Sequence, residues 1–475
     1  MIVETGCHCE EREAQRSNLH RASHLCLREI AAARYARLAM TVPIRLLRRA
    51  RNDSTLSHHR HARSGIESYS RVMAAIPRYR AHQGLALLSA GFRPFFLLAA
   101  LWAAVAIPLW LALFAGAPAV PTALAPAVWH AHEMVFGYAA ATVAGFLLTA
   151  IPNWTGRMPL QGAPLAALAL LWAAGRIGVL LSGIWGPVAA AALDLAFPAV
   201  FLAAIAREIA AGRNWRNLPM LGALTLLLVG NLLVHLDALG VAQTAALGNR
   251  LGIATLVMLV TFIGGRIVPS FTRNWLVREQ PGSAAPAPFD TVDRMALALT
   301  ALALALWVAA PETRAAAVGE LVAGVALALR LWRWRGHQAW REPLVWSLHL
   351  GYFWLAVGFL LLGADGLGQF LPASTALHAL TVGAIGTMTL AVMTRASLGH
   401  TGRPLVAGSG TTAIYLMVTL AALLRLAAPL ADASQMPVLD MAGAAWSGAF
   451  GLFVLLYAGP LALPRVARAP ATTGA

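Results

Sequence analysis

Long uninterrupted runs of apolar residues recur along the chain from residue 95 onward. Each run holds about 16–25 residues, the length that an α-helix needs to cross the hydrocarbon core of a bilayer. The runs are continuous and do not alternate with a period of two, so they favour membrane helices over barrel strands. We therefore predict an all-α polytopic membrane protein with twelve spans. The predicted spans are 95–116, 128–151, 163–184, 187–206, 218–239, 248–268, 294–310, 315–332, 344–363, 374–394, 411–431 and 439–463.

The composition supports this fold class. Hydrophobic residues make up 59% of the 475 residues, charged residues make up 12%, and the mean hydropathy is +0.66. Soluble domains carry about 25% charged residues, and a single soluble core stops growing near about 250–300 residues. A disordered chain needs low hydrophobicity. The composition therefore excludes a soluble enzyme and a largely disordered chain.

The first 72 residues have a different composition. They hold 13 arginines, seven acidic residues, six histidines and all three cysteines. No apolar run in this region is long enough for a signal-peptide core or a membrane span. We predict a basic, unfolded cytoplasmic extension at 1–72, or translation that starts at Met73. A cytoplasmic segment at 73–94 then leads into the transmembrane domain at 95–465, and 466–475 form a C-terminal tail.

The net charge of +16 comes from 36 basic residues, all of them arginine. If the N-terminal extension lies inside the cell, the inner loops and the C-terminus hold 16 further arginines. The outer loops then hold two, Arg250 and Arg314. The positive-inside rule therefore predicts cytoplasmic N- and C-termini. Because topology accounts for the basic charge, the predicted partner is the lipid bilayer and not a nucleic acid.

Several ionisable or strongly polar residues fall inside the predicted spans, where they are costly and often functional. They are His130, His132, Glu133, Arg176, Asp194, Asn231, His235, Asp237, Glu320, His349 and His378. Four of the five histidines lie near the predicted outer ends of their helices. The exception, His349, lies about one turn from the inner face.

Neutral imidazole is the commonest side-chain metal ligand. Two histidines from different helices can clamp a haem iron, and three can hold copper. Along an α-helix the His130 and His132 side chains point about 200° apart, so they face different neighbours unless the helix is distorted. The membrane part contains no cysteine. Any metal there must be held by other ligands.

The other polar residues leave alternatives open. Glu133 either orients a neighbouring histidine, carries protons, or reaches water at the interface. Arg176 and Asp194 lie on consecutive spans. They either form an ion pair inside the bundle or neutralise the propionates of a haem.

A faint internal repeat links spans 2, 6 and 10. When His132 is aligned with His378, Gly137 falls on Gly383, and the Thr-Gly-Arg sequences at 155–157 and 401–403 also coincide. Span 6 follows the same outline more weakly. Three repeats of four helices would bring the three spans together around a pseudo-threefold axis. This arrangement resembles the large subunit of haem–copper oxidases, in which spans 2 and 10 supply the two axial histidines of a low-spin haem.

Four stretches resemble the NnrS family of bacterial membrane proteins. They are GFRPFF at 91–96, WHAHEM with the following Phe-Gly at 129–137, TAIPNWTG at 149–156, and the long motif at 378–404. The resemblance covers roughly 85–465. It implies a twelve-span protein of the bacterial cytoplasmic membrane that carries copper and haem, expected to be of the b-type. The family is linked to nitric oxide, denitrification and resistance to nitrosative stress.

The resemblance also suggests site residues. We expect His130, His132 and His378 to bind the cofactors, and we add His235 and His349 as metal ligands. Glu133 and Arg176 are expected to support these ligands.

Three functions are compatible with these expectations. The first is a haem- and copper-containing protein of the nitric oxide response, which binds or processes NO or an NO-derived metal complex. The second is a nitric oxide reductase-like oxidoreductase, which also needs an electron donor. The third is a transporter or sensor without catalysis. Two axial histidines would leave the haem no open position, and this counts against the second. Whether the protein catalyses a reaction is left open.

Overall fold

The computed structural model describes residues 83–117, 120–368 and 372–466. This part of the chain is helical and contains no strand, and twelve of its helices are long and apolar enough to cross a membrane. The predicted fold class is thus confirmed, and twelve such helices imply a lipid bilayer. The helices are α1 (Phe92–Phe114), α2 (Pro126–Thr155), α3 (Ala163–Leu180), α4 (Pro187–Ala211), α5 (Trp215–Ala238), α6 (Ala245–Glu279), α7 (Thr291–Ala309), α8 (Arg314–Trp332), α9 (Pro343–Gly368), α10 (Ser374–His400), α11 (Ser409–Leu430) and α12 (Gln435–Ala462). The predicted N-terminal extension lies outside the described residues, and so does most of the predicted C-terminal tail.

Local sequence signals explain several helix ends. Proline lies in the first turn of α3, α4 and α5, where its missing N–H costs nothing. Asp290 caps α7, because its side chain accepts from the backbone N–H of Val292 at 2.9 Å. Gly156 ends α2 in the left-handed conformation, with φ of 72°.

Several predicted helix ends are too short, and the largest error is at the end of span 6. Span 6 was predicted to end at 268, before Pro269, yet α6 continues to Glu279 with Pro269 inside it. Residues after 268 are largely polar, so the apolar pattern stops while the helix does not. The hydrophobic pattern therefore marks the length that matches a bilayer and not the full length of the helix.

Helices α2, α6 and α10 meet in the middle of the bundle, as the repeat predicts. All three line the same two cavities. The hydroxyls of Tyr138 on α2 and Thr389 on α10 also share a hydrogen bond. Around this centre, α1 packs on α12, α3 on α4, α5 on α6, and α8 on α9.

The two central helices that carry histidine have the same distortion. In α2 a π-helical segment covers Glu133–Ala139, directly after His132, and in α10 one covers Ala379–Gly386, directly after His378. These segments coincide when the two histidines are aligned. π-Helical turns are rare and frequently occur at functional sites. Their shared position supports the internal repeat. It also makes the turns that carry the histidines candidates for functional sites in both helices.

At the end of the bundle opposite His130 and His378, a buried arginine forms hydrogen bonds with three other helices. Arg330 on α8 donates to Asp293 at 2.7 Å, to the hydroxyl of Tyr352 at 2.9 Å and to the carbonyl of Thr261 at 3.0 Å. These bonds join α6, α7, α8 and α9. A buried charge needs such partners, because an unpaired one is strongly destabilising.

Candidate metal and cofactor sites

Two histidine groups lie at the same end of the bundle, which we call the histidine end. His130 faces His378 across a cavity, whereas His132 lies with Asp194 and His235 in a polar cluster. The aligned partner of His378 in the sequence repeat was His132, but the ring that faces His378 is that of His130. The side chains of the two histidines of α2 thus lie in different surroundings, as their angular separation predicts.

The polar cluster is built around His132, which is 0% exposed. Its Nε2 lies 3.1 Å from Oδ2 of Asp194 on α4 and 2.9 Å from Oδ1 of Asn231 on α5. Its Nδ1 lies 3.1 Å from Oε1 of Glu133. Both ring nitrogens therefore have polar partners from three different helices.

Three side chains of this cluster are arranged as metal ligands. One donor atom from each of His132, Asp194 and His235 lies within 4.8 Å of the others, and all three residues are buried. Nε2 of His235 is 2.9 Å from Oδ2 of Asp194. Two imidazoles and one carboxylate form a donor set suited to first-row transition metals.

The charges of the cluster also favour a cation. Arg176 on α3 donates to Oε2 of Glu133 at 2.6 Å and also pairs with Asp194. The structure thus contains the Arg176–Asp194 ion pair considered above. Both ring nitrogens of His132 face oxygens that accept, so without a metal a protonated His132 and Arg176 together offset the two carboxylates. A metal ligand must be neutral, and with both imidazoles neutral the side chains of the cluster carry one negative charge. A buried net charge is costly, and a metal ion would neutralise it.

Glu133 does not reach interfacial water, because it is 0% exposed. Its carboxylate accepts from Arg176 and, at 2.7 Å, from Nε1 of Trp102 on α1. The first of its sequence-based alternatives, contact with a neighbouring histidine, is the one that the geometry matches.

Gly137 allows the ion pair between Arg176 and Glu133 to lie directly against α2. A Cβ atom there would fall 2.8 Å from both Nη1 of Arg176 and Oε2 of Glu133. The carbonyl of Gly137, inside the π-helical segment, accepts from Nε1 of Trp172 on α3 at 3.1 Å. The sequence repeat singles out this glycine, and the close approach gives its physical reason.

The second site is the cavity between His130 and His378. The two rings are nearly parallel, at 8°, and their centres are 6.3 Å apart. Trp110 on α1 stacks on His130 with ring centres 4.3 Å apart. Nδ1 of His378 contacts the carbonyl of Ser374, one turn earlier, and this contact fixes the ring orientation. Its Nε2 is then free to bind a metal.

The cavity is mainly apolar and has a volume of about 130 Å³. Besides the two histidines, its main polar group is Arg425 on α11. Among the described residues, Nδ1 of His130 and Nε of Arg425 are buried without a hydrogen-bond partner. A bound ligand, an ion or an ordered water would each satisfy such groups.

These features fit a haem. Metal–imidazole bonds of about 2.0–2.1 Å would put the centres of two axial rings about 6 Å apart, close to the observed spacing. The apolar walls suit a porphyrin, and Arg425 suits its carboxylates.

The remaining candidates lie elsewhere. His349 is near the opposite end of the bundle, where its Nε2 is 2.8 Å from the hydroxyl of Thr272. It is not brought together with the other four histidines, and its assignment as a metal ligand stays a prediction. Sequence reasoning missed Trp102 and Trp110, because tryptophan is common in membrane helices. Arg425 carried a signal, since an arginine inside a span is costly.

The fold and the two buried histidine groups define a multi-pass helical membrane protein with candidate cofactor sites inside its bundle. A family model described as NnrS protein matches residues 86–465. The chain therefore belongs to the NnrS family, as the four motifs indicated. No curated protein is similar enough to match it.

Proposed function

We propose that this NnrS-family member is a haem- and copper-containing membrane protein of the nitric oxide response. It binds or processes NO, or an NO-derived metal complex, and so contributes to resistance against nitrosative stress. The observation that carries the proposal is the pair of nearly parallel imidazoles, His130 and His378, across an apolar cavity. We propose the bacterial cytoplasmic membrane as its location from its family, and cytoplasmic N- and C-termini from its arginine distribution.

In the proposed haem site each side chain has a defined task. His130 and His378 would be the axial ligands, and the Ser374 carbonyl orients His378. Trp110 holds the His130 ring by stacking, and Arg425 would pair with a carboxylate of the b-type haem. Ferrous haem, when bound, supplies an iron that can take up NO or pass an electron.

In the proposed copper site His132, Asp194 and His235 would be the ligands. Glu133 accepts a hydrogen bond from the Nδ1–H of His132, which leaves Nε2 available for the metal. Arg176 holds Glu133 and Asp194 in place through its two bonds. Because this shell fixes ligand orientation, we expect its loss to weaken metal binding about 10–100-fold.

A nitric oxide reductase-like oxidoreductase is the second candidate. It is favoured by the two sites lying back to back on α2, only two residues apart at His130 and His132. Electrons could pass readily between metals so placed. A donor of electrons and an open coordination position would both be required, so one axial histidine would have to dissociate.

The first test is an optical spectrum of the detergent-purified protein, oxidised and then reduced with dithionite. We expect sharp low-spin haem bands that are lost in His130→Ala and His378→Ala. His349→Ala is the matched control, since it removes a buried histidine from the opposite end. A haem-free spectrum from metal-replete cells would contradict the proposal and leave transport or sensing as the better account.

The second test measures copper by elemental analysis in the same preparations. We expect His132→Ala and His235→Ala to lose copper and keep the haem bands. His130→Ala should show the reverse pattern. Loss of haem in His132→Ala with copper retained would reverse our assignment of the two histidines.

A further inference from the structure

A second cavity lies beside the one between His130 and His378, toward the opposite end of the bundle. It has a volume of about 80 Å³ and is lined by the central helices α2, α6 and α10. The two cavities share three lining residues, one from each helix: Ala139, Leu256 and Ile385. The two cavities are therefore adjacent along the central helices.

The walls of the second cavity are apolar, and their few polar groups are already bonded. Thr142 donates to the carbonyl of Tyr138 at 3.2 Å, and Thr389 donates to that of Ile385 at 2.7 Å. The other lining residues are aliphatic or aromatic, or are Gly264 and Met388. A cavity without free hydrogen-bonding groups holds water poorly and takes up apolar guests such as xenon.

We infer that the second cavity binds small apolar gas molecules and passes them to the space between His130 and His378. The gas is NO under the proposed function, on which this identity rests. NO is a small, weakly polar molecule, so it needs no hydrogen bond from the walls. A metal ion would find a single thioether, Met388, and an ionic substrate would find no counter-charge.

Because the two cavities are adjacent, a gas molecule in the second cavity lies next to the space between His130 and His378. A gas molecule that dissolves in the bilayer core can gather here, beside its reaction partner, without crossing the charged cluster around His132. The hydrogen bond between Tyr138 and Thr389 crosses this region, because Tyr138 lines the first cavity and Thr389 the second. The two cavities therefore lie beside α2 and α10, which this hydrogen bond holds together.

The test uses xenon as the probe with the full-length purified protein. We expect xenon under pressure to occupy the second cavity, detected by ¹²⁹Xe NMR or in xenon-pressurised crystals. Val392→Phe fills the cavity from α10 and should abolish the site, and Val260→Phe fills it from α6 in case the first variant folds poorly. Val325→Phe is the matched control, because Val325 is 62% exposed on α8.

A second measurement tests transfer between the cavities. After photolysis of the NO complex of the reduced protein, we expect a smaller escaping fraction in Val392→Phe than in wild type or Val325→Phe. The haem bands should be identical in all three. An unchanged escaping fraction overturns the transfer, and the absence of bound xenon in the wild type overturns the gas site. A protein that binds xenon but no haem would instead contradict the proposed function and leave the cavity as a gas site.

Discussion

Two histidines that lie two positions apart on α2 have side chains in entirely different environments. His130 faces the apolar cavity and His132 the charged cluster, so their surroundings differ completely. The angular separation of the two side chains follows from helix geometry and could be predicted from the sequence. Which histidine meets His378 could not, because it depends on the rotation of α2 against α10.

Arg425 gives a prediction at the residue scale. Its guanidinium lines the cavity between His130 and His378, and its Nε has no partner among the described residues. A unit charge within about 10 Å contributes about 1–2 kcal/mol at an effective dielectric constant near 20. Arg425→Gln should therefore lower the haem midpoint potential by tens of millivolts, roughly, because the reduced haem loses a favourable charge. A spectroscopic redox titration measures it.

Arg425→Lys is the control for this change, since it keeps the charge. The midpoint potential of Arg425→Lys should therefore lie closer to that of the wild type than to that of Arg425→Gln. If glutamine and lysine give the same potential, the role of Arg425 in the cavity is steric and not electrostatic.

Gly137 gives a second prediction. Gly137→Ala places a Cβ atom against the Arg176–Glu133 ion pair, and overpacking of this kind costs about 1–3 kcal/mol. We expect lower copper content and a lower unfolding temperature in detergent, with the haem bands retained. Gly264→Ala is the control, since its new Cβ would meet its nearest neighbour, Tyr352, at 3.4 Å. Equal effects of both changes would mean that the ion pair is not specifically sensitive.

At the scale of the element, the π-helical segments are the features that sequence reasoning could not supply. Hydrophobic runs predict where a helix crosses the bilayer, and all twelve were found this way. A π-helical turn adds one residue without changing composition, so no apolar pattern shows it. The repeat gave an indirect signal, because His132 and His378 aligned and both precede such a segment.

The segment in α10 can be tested by removing its extra residue. Deletion of Thr381 should convert Ala379–Gly386 toward regular α-helix and rotate His378 by about 100° relative to the rest of α10. We expect loss of the haem bands while the protein still inserts into the membrane. Thr381→Ala keeps the length and should keep the haem. Normal haem in the deletion variant would show that the π-helical geometry does not position His378.

At the scale of the whole molecule, the arginine distribution makes a prediction about orientation. Arg395, Arg403 and Arg465 should lie on the same side of the membrane as the N-terminal segment. A green fluorescent protein fused after residue 465 should therefore fluoresce, and alkaline phosphatase fused there should be inactive. A fusion in the loop between α5 and α6, just before Arg250, should give the opposite pair of results.

The central helix α2 links the two proposed sites, and this link affects how the cofactors would be loaded. α2 carries a proposed ligand for each site within one turn, and the π-helical segment follows at once. We expect binding at one proposed site to order the backbone from which the other takes its ligand, so that the second cofactor binds at a smaller entropic cost. Loading of the two sites is then cooperative. A cell short of copper would accumulate less haem-loaded protein, and a cell short of haem less copper-loaded protein, so maturation would depend on the scarcer supply.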